Sequence, residues 1–289
     1  MGCGMPLIRR SWLFVPGADE AAHQAAARCG ADVVILDLED FTPPELRPTA
    51  RALSVEALDR WRNAGATATV RINPLECGGR DDLTGVIAAQ PDLILMSKVE
   101  TPEQVKALEA ATGGAVDLVP NIESARGLLR CYEIAKASPR VAAVLLASED
   151  MVADLGTRRT RRGAELAYVR ARFLVECRAA GIEAIDCPYT FSDVKGAAAD
   201  TRYAKSLGYR MKSLVDPAHA RAVNTALSAT TTELAKARRV VTAFDKARAN
   251  GKGRALVDGA LIEVPVYAAA KRLLESAAQS PLPRRKKPD

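Results

Sequence analysis

Two apolar stretches of the sequence each end on a carboxylic acid. The run 116–122 stops at Glu123, and the run 141–147 is followed by Ser148, Glu149 and Asp150. In a parallel α/β protein the carboxyl ends of the strands meet at one edge, which is where active sites form. Mg²⁺ prefers oxygen ligands, and one or two carboxylates with a chelating substrate and water complete its shell. The pattern predicts that Glu123 and Asp150 bind one divalent metal; the alternative is that each acid caps the helix after it.

More charged residues follow the other apolar runs at the same relative position. They are Asp37, Glu39, Asp40, Arg71, Lys98 and Asp186. The segment Asp37-Leu38-Glu39-Asp40 is either a second metal-binding group or a charge network that Arg47 and Arg51, on the next helix, neutralise. We favour the network, in which Glu39 and Asp40 hold metal-bound waters or cationic side chains.

Three basic elements have candidate binding roles. The planar guanidinium of Arg71 suits a substrate carboxylate or a developing oxyanion, and the alternative is a salt bridge to the acidic segment. Arg10 precedes the first apolar run and could reach inward from the start of that strand. The charged loop 157–162 is typical of a solvated or subunit-bridging segment, with phosphate binding as the alternative.

The elements that must position these side chains follow a regular alternation. Short runs rich in β-branched residues predict strands, and the longer segments between them predict helices, including 48–61, 125–136 and 163–180. The predicted strands are 11–15, 32–37, 67–73, 93–96, 116–123, 141–147, 183–186 and 210–214. Eight such units with short connections predict a (β/α)8 TIM barrel, an α/β fold that begins near Arg10.

The alternation stops near Ser228, so two regions are predicted. Residues 1–228 form the catalytic barrel domain. Residues 229–289 form a C-terminal helical lid extension, with helices over 233–249 and 265–276, and a basic tail. This extension is too small to be a domain of its own, so we expect it to pack on the barrel or on that of a neighbouring copy.

Composition excludes several classes of protein. The chain has 289 residues, and no apolar stretch is long enough to cross a bilayer. The first residues lack the apolar core of a signal peptide, which predicts a cytoplasmic protein. Six scattered cysteines without a CxxC pair predict reduced thiols rather than a zinc site. Much of the net charge of +6 comes from Arg284-Arg285-Lys286-Lys287, so a basic tail, and not nucleic-acid binding, is the simpler interpretation.

Ordered motifs along the chain are similar to those of a known family. They are Arg10-Ser11-Trp12-Leu13-Phe14-Val15-Pro16-Gly17, Asp37-Leu38-Glu39-Asp40, Val70-Arg71-Ile72-Asn73, Ile122-Glu123-Ser124-Ala125-Arg126-Gly127, Glu149-Asp150, Tyr168-Val169-Arg170, Ala184-Ile185-Asp186 and Asp258-Gly259. The sequence resembles the citrate lyase beta subunit-like branch of the HpcH/HpaI aldolase family, which includes citryl-CoA, malyl-CoA and citramalyl-CoA lyases. The resemblance extends from about residue 10 to residue 274.

The resemblance implies a Mg²⁺-dependent carbon–carbon lyase on a (β/α)8 barrel, usually trimeric, that acts on a short acyl-CoA thioester. It implies that Glu123 and Asp150 are metal ligands and that Arg71, Asp37 and Arg10 bind substrate. It further implies that Glu39 and Asp40 act in catalysis around the metal. In the family a C-terminal segment covers a neighbouring subunit and supplies an aspartate as acid/base, and that aspartate aligns with Glu263.

Three positions depart from the family pattern. Glu263 replaces the aspartate and is one methylene longer. Val215-Asp216-Pro217 replaces an Ile-His-Pro turn, and Arg47 stands at a position where lysine is common. These departures leave two alternatives to the lyase. One is an aldolase of free 2-oxoacids, which would need a histidine base although His23 and His219 follow no predicted strand directly. The other is a barrel that only binds or scaffolds.

Overall fold

A computed structural model describes residues 9–279, which divide into two compact units. The barrel unit is Arg9–Leu227, and the C-terminal unit begins at Ser228. The basic segment 284–287 lies outside the described residues.

Eight parallel strands form a closed barrel in the first unit. They are β1 (Ser11–Pro16), β2 (Val33–Asp37), β3 (Thr67–Ile72), β4 (Leu93–Met96), β5 (Asp117–Ile122), β6 (Ala143–Leu146), β7 (Glu183–Asp186) and β8 (Met211–Leu214). Each strand pairs with the next along the chain, and β8 pairs with β1. The predicted (β/α)8 TIM barrel is confirmed.

Side chains along each strand alternate between two apolar cores. One core fills the barrel and includes Phe14, Val119, Leu145 and Ile185. The other lies between the strands and the surrounding helices, and includes Leu118 and Ile122. Because both faces of every strand are covered, the strands read as continuous apolar runs in the sequence.

Ten helices of the barrel unit connect or flank the strands. They are α1 (Glu20–Cys29), α2 (Arg47–Asn63), α3 (Gly79–Val86), α4 (Pro102–Ala111), α5 (Ala125–Leu129), α6 (Cys131–Lys136), α7 (Glu149–Asp154), α8 (Ala167–Ala180), α9 (Val194–Leu207) and α10 (Ala220–Leu227). The single helix predicted for 125–136 is wrong, because the chain breaks at Arg130 between α5 and α6. The helix predicted from 163 begins at Ala167, after a 3₁₀ turn over Ala164–Leu166.

The C-terminal unit consists of two helices and a hairpin. Helix α11 (Thr231–Ala249) precedes the antiparallel strands β9 (Ala255–Val257) and β10 (Ala260–Ile262), and α12 (Val264–Gln279) follows. Its small core contains Ala237, Val240, Phe244, Val257, Ile262 and Ala270. The ring of Tyr267 stacks on Phe244 with ring centroids 4.6 Å apart.

Neither a disulfide nor a membrane-spanning helix is found over residues 9–279. The cysteines in this range are all unpaired, and Cys131, Cys177 and Cys187 are buried. None of the helices in the same range combines the length and apolar character needed to cross a bilayer.

Candidate active site

Arg71 occupies the centre of a buried charge cluster at the carboxyl ends of β2 to β5. It lies opposite Asp37 in the β2–β3 register. Its Nε and Nη2 atoms each donate to Asp37 over 2.6 Å, so the ion pair is bidentate. Its Nη1 atom lies 3.1 Å from Glu39 Oε2 and 3.8 Å from Glu123 Oε1. Burial lowers the pKa of Arg71, but the acids around it outweigh burial and raise the pKa overall. The guanidinium is therefore a fixed positive charge.

The turn after β2 fixes the orientation of Asp37. Its two carboxylate oxygens also accept hydrogen bonds from the backbone N–H groups of Glu39 and Phe41. The backbone N–H of Gly17, just after β1, donates to Asp37 O over 3.1 Å and to Thr42 Oγ1 over 2.8 Å. A Cβ atom at position 17 would lie 2.7 Å from Asp37 O and 2.8 Å from Ala50 Cβ. Only glycine fits this approach.

Lys98 provides the second positive charge of the cluster. It follows β4 with a φ of 53°, a conformation that is uncommon for a residue with a Cβ atom. Its Nζ atom donates to Glu39 Oε1 and lies 3.6 Å from Asp40 Oδ1. Burial lowers the pKa of Lys98, but the hydrogen bond with Glu39 and the negative charge of Glu39 outweigh burial, so the net shift of the pKa is upward.

The predicted neutralisation of the acidic segment by Arg47 and Arg51 is wrong. Arg51 Nε instead donates to Asp82 Oδ1 over 3.0 Å. No ion pair between Arg47 and the segment is found among residues 9–279. Arg71 and Lys98 take this role because they come from neighbouring strands, whereas Arg47 and Arg51 are neighbours only along the chain.

Glu123 is a buried carboxylate for which the rest of the described chain provides no hydrogen bond. It is 3% exposed, and neither of its oxygens has a hydrogen-bond partner within residues 9–279. Burial raises its pKa to about 8 against the lowering effect of Arg71, and the charges of Glu39 and Asp150 raise it further. Burial thus favours the protonated form of this carboxyl, and a cation bound beside it would favour the charged form.

Asp150 is half-buried in the first turn of α7. Burial raises its pKa, and the charge of Asp40 adds to that shift. The capping alternative fails for Glu123, because Ser124 is the residue that caps α5, accepting from the N–H of Gly127. The position before α7 is occupied by Ser148, not by Asp150.

The donor set fits a magnesium ion held by few protein ligands. Within the described residues, no group of three or more His, Cys, Asp and Glu side chains is arranged to hold a metal. Two carboxylates remain available, since Glu123 and Asp150 interact through their charges and Glu123 has two free oxygens within this part of the chain. Mg²⁺ characteristically uses one or two carboxylates and completes its octahedron with substrate and water.

A cavity of about 260 Å³ opens beside the cluster. Its polar lining comprises Asp40, Arg71, Ser148, Glu149, Asp150 and Thr190, and its apolar lining includes Phe14, Phe41, Leu145 and Val215. The Arg71 guanidinium lies 4.6 Å from the centroid of the Phe14 ring. Sequence reasoning did not single out Phe14 or Ser148, although the alternation along β1 places Phe14 inside the barrel.

Two of the candidate residues, Arg10 and Asp186, lie away from this rim. Arg10 precedes β1, at the opposite end of the strand, where its Nε and Nη2 atoms donate to Asp32 over 2.8 and 2.9 Å. The ion pair with Asp32 lies at the end of β1 away from the rim, and the substrate-binding role expected for Arg10 stays a prediction. The prediction that Asp186 faces the rim is wrong. Ile185 takes the interior position on β7, and Asp186 points outward to Arg170 and Lys212.

The remaining predicted residues make local contacts. Arg159, in the charged loop, pairs with Glu149 and Glu165, and Arg161 pairs with Asp193. Glu263 belongs to the C-terminal unit, where it is exposed between β10 and α12.

Comparison with known proteins identifies relatives of the whole chain. It is 33% identical over 282 residues to the citrate lyase subunit beta of Leuconostoc mesenteroides subsp. cremoris, covering 93% of each protein. It is 30% identical over 276 residues to a (3S)-malyl-CoA thioesterase of Cereibacter sphaeroides strain ATCC 17025, covering 93% of this chain and 94% of the relative.

Among solved structures, the protein CitE from Mycobacterium tuberculosis in complex with magnesium, acetoacetate and coenzyme A matches with a TM-score of 0.76. The two are 28% identical, and the match covers 93% of this chain and 98% of CitE. The sequence also matches the family profile described as HpcH/HpaI aldolase/citrate lyase over residues 10–217. The predicted family and the expectation of a carbon–carbon lyase of the citrate lyase beta subunit type are confirmed: this chain belongs to the HpcH/HpaI aldolase/citrate lyase family.

Proposed function

We propose that the protein is a Mg²⁺-dependent lyase that cleaves a short 3-hydroxyacyl-CoA, such as citryl-CoA, malyl-CoA or citramalyl-CoA, into acetyl-CoA and a 2-oxoacid, or catalyses the reverse condensation. The observation that carries this proposal is Glu123, a buried carboxylate beside Arg71 whose oxygens have no hydrogen bond within residues 9–279. The magnesium, acetoacetate and coenzyme A in the matched CitE complex support the same ligand classes.

Glu123 and Asp150 are the residues that would hold Mg²⁺. When bound there, the ion supplies Lewis-acid polarisation of the oxygens of the 2-oxoacid half of the substrate. Glu39 and Asp40 adjoin this position and hold Lys98 and Arg71 in place.

Arg71 stabilises negative charge in this proposal. The bidentate pair with Asp37 fixes the guanidinium before substrate arrives, so no reorganisation is needed during the reaction. The Phe14 ring and the apolar residues of the cavity wall lower the local dielectric beside the guanidinium, which strengthens that interaction. Asp37 therefore contributes to substrate binding by orienting Arg71.

The reaction balances without a further co-reactant. The hydroxyl at C3 loses its proton, its oxygen forms the carbonyl of the 2-oxoacid as the C2–C3 bond breaks, and the electron pair of that bond goes to the thioester enolate. That enolate takes up one proton at carbon to give acetyl-CoA. Glu263, exposed on the C-terminal unit, is the proposed acid/base at this carbon and would act from a neighbouring copy in a trimer.

The test is to incubate the purified protein with Mg²⁺ and each candidate thioester, and to separate the products by chromatography. We expect acetyl-CoA and a 2-oxoacid in equal amounts. Chelation of the metal or Glu123→Ala should abolish their formation. Free CoA together with the intact hydroxyacid would instead indicate a thioesterase, the activity in the name of one relative. Turnover that persists after chelation contradicts the proposal.

A further inference from the structure

Asn121 is a polar residue inside the barrel whose amide group has no role in the site described so far. It lies on β5, between Val119, a member of the interior core, and Glu123. Because side chains alternate along a strand, these three side chains point to the same face, into the barrel. Asn121 is fully buried at 0% exposure.

The amide of Asn121 lacks the hydrogen bonds that other polar groups of the barrel interior make. Thr69 Oγ1 donates to Leu93 O over 2.5 Å, and Ser213 Oγ donates to Asp186 O over 2.9 Å. By contrast, neither Oδ1 nor Nδ2 of Asn121 has a partner anywhere in the described range. A buried polar group left without a partner destabilises the folded state, and native proteins satisfy nearly all such groups.

Water is the partner that fits this position. The neighbour of Asn121 across the β5–β6 pairing is Leu145, which lines the cavity, whereas Asn121 does not line it. Neither Asn121 nor Glu123 is among the residues that line the cavity, and a water molecule is small enough to bind between two buried side chains. Buried waters typically form two to four hydrogen bonds with such polar groups.

Glu123 provides the second partner for that water. Residues i and i+2 of a strand lie about 6.6 Å apart at Cα and face the same way, a separation that one water bridges between polar side chains. Both oxygens of Glu123 lack hydrogen bonds within residues 9–279. A metal-binding carboxylate is normally held by a hydrogen bond on the side away from the ion.

We propose that Asn121 binds buried water, and that one such molecule accepts a hydrogen bond from Asn121 Nδ2 and donates one to the Glu123 carboxylate. Asn121 is thus a positioning residue for the metal ligand. The inference rests on the proposed function only in naming magnesium as the ion that Glu123 binds.

The experiment compares crystal structures and Mg²⁺ titration calorimetry for the wild type and three variants. Asn121→Leu removes the amide and suits the apolar surroundings, so it should weaken Mg²⁺ binding by about tenfold or more without lowering the melting temperature. Asn121→Ser retains a donor and room for water, and should recover part of the affinity. The control Thr69→Val deletes a buried hydroxyl that is already bonded, and should lower the melting temperature while changing Mg²⁺ affinity less than twofold.

Electron density at Asn121 tests the proposed water directly. A water within hydrogen-bond distance of both Asn121 Nδ2 and Glu123 supports the inference, and a protein group bonded to the amide overturns it. Unchanged Mg²⁺ affinity in Asn121→Leu also overturns it. A wild-type protein that binds no Mg²⁺ is a separate result that refutes the proposed function, and the density still decides whether water links the two side chains.

Discussion

The barrel unit contains two charge clusters that differ in their balance, and the second of them is exposed at Lys98 and Asp40. One lies outside β7 and β8, where Arg170 and Lys212 face Asp186 and Asp200. The other is the candidate site, where Arg71 and Lys98 face Asp37, Glu39, Asp40, Glu123 and Asp150. The first has as many cations as carboxylates. In the second, five carboxylates face two cations.

This difference in charge balance distinguishes a structural network from a ligand-binding site. In the balanced cluster, Arg170 binds Asp186 through two nitrogens and Asp200 through Nη1, and Lys212 bridges both acids over 2.6 Å. In the site, Glu123 keeps two oxygens without hydrogen bonds among the described residues. A divalent cation would remove most of the excess negative charge there, whereas nothing needs to be added to the other cluster.

The largest expected effect is loss of stability when the balanced cluster is broken. Lys212→Met leaves two buried carboxylates facing one arginine, and should lower the free energy of unfolding by about 3–5 kcal/mol. Urea denaturation measures the change. Lys195→Met, at an exposed position of α9, is the control and should change stability by less than about 0.5 kcal/mol. Equal values for the two variants would show that the buried cluster is not structural.

The opposite pattern is expected at the site. Glu123→Gln replaces a buried carboxyl group that lacks hydrogen bonds within residues 9–279 and that burial already disfavours in its charged form, so the metal-free protein should unfold at the same or higher denaturant concentration than the wild type. Mg²⁺ affinity, measured by calorimetry, should fall by about a hundredfold or more, because one of two protein ligands is lost. A clear loss of stability with Mg²⁺ affinity retained would reverse the assignment of the two clusters.

A third effect concerns pH. Burial raises the pKa of Glu123 from 4.5 to about 8, so Mg²⁺ must displace a proton from this carboxyl below pH 8. Mg²⁺ affinity should rise by about tenfold per pH unit up to that pH and then level off. In the metal-free protein, stability depends on pH in the opposite sense. Between pH 4.5 and about 8 the native state binds more protons than the unfolded state, so the free energy of unfolding falls as pH rises through this range. Glu123→Gln should remove both dependences, and their persistence would assign them to another group.

The smallest effect is expected at Arg10. Its ion pair with Asp32 lies at the amino-terminal end of β1, so Arg10→Met should leave KM for the thioester unchanged. Stability should decrease by about 1 kcal/mol, since the pair is partly exposed. A KM that rises tenfold would restore the substrate-binding role that the sequence predicted for this residue.

The barrel could be predicted because its strands are covered on both faces and therefore appear as apolar runs. The break at Arg130 could not, because no glycine or proline marks it and the two short helices share one apolar pattern. Asp186 is the last residue of β7 and Glu123 directly follows β5, yet the carboxylate of Asp186 lies outside the barrel and that of Glu123 lies inside. Because side chains alternate along a strand, assigning Ile185 to the barrel interior would have predicted that Asp186 points outward.

Ion-pair partners were the least predictable feature of the site. Arg51 lies on the helix just after the acidic segment, but its guanidinium binds Asp82, 31 residues away along the chain. Arg71 and Lys98 reach the acids because parallel pairing brings β2, β3 and β4 side by side. Such partners depend on strand order and register, which a local pattern does not contain. The domain boundary and the catalytic roles of Glu39, Asp40 and Glu263 stay predictions.

The glycine after the first strand limits how the charged centre can vary. Gly17 holds the carbonyl of Asp37 by direct backbone contact, and even one methyl group there would push against that carbonyl and against Ala50. Displacement of Asp37 would tilt the Arg71 guanidinium that it binds. A substitution at Gly17, which is uncharged and takes no part in the reaction, would therefore alter ligand selectivity. The turn after the first strand thus constrains the charged centre although it contributes no ionisable group to it.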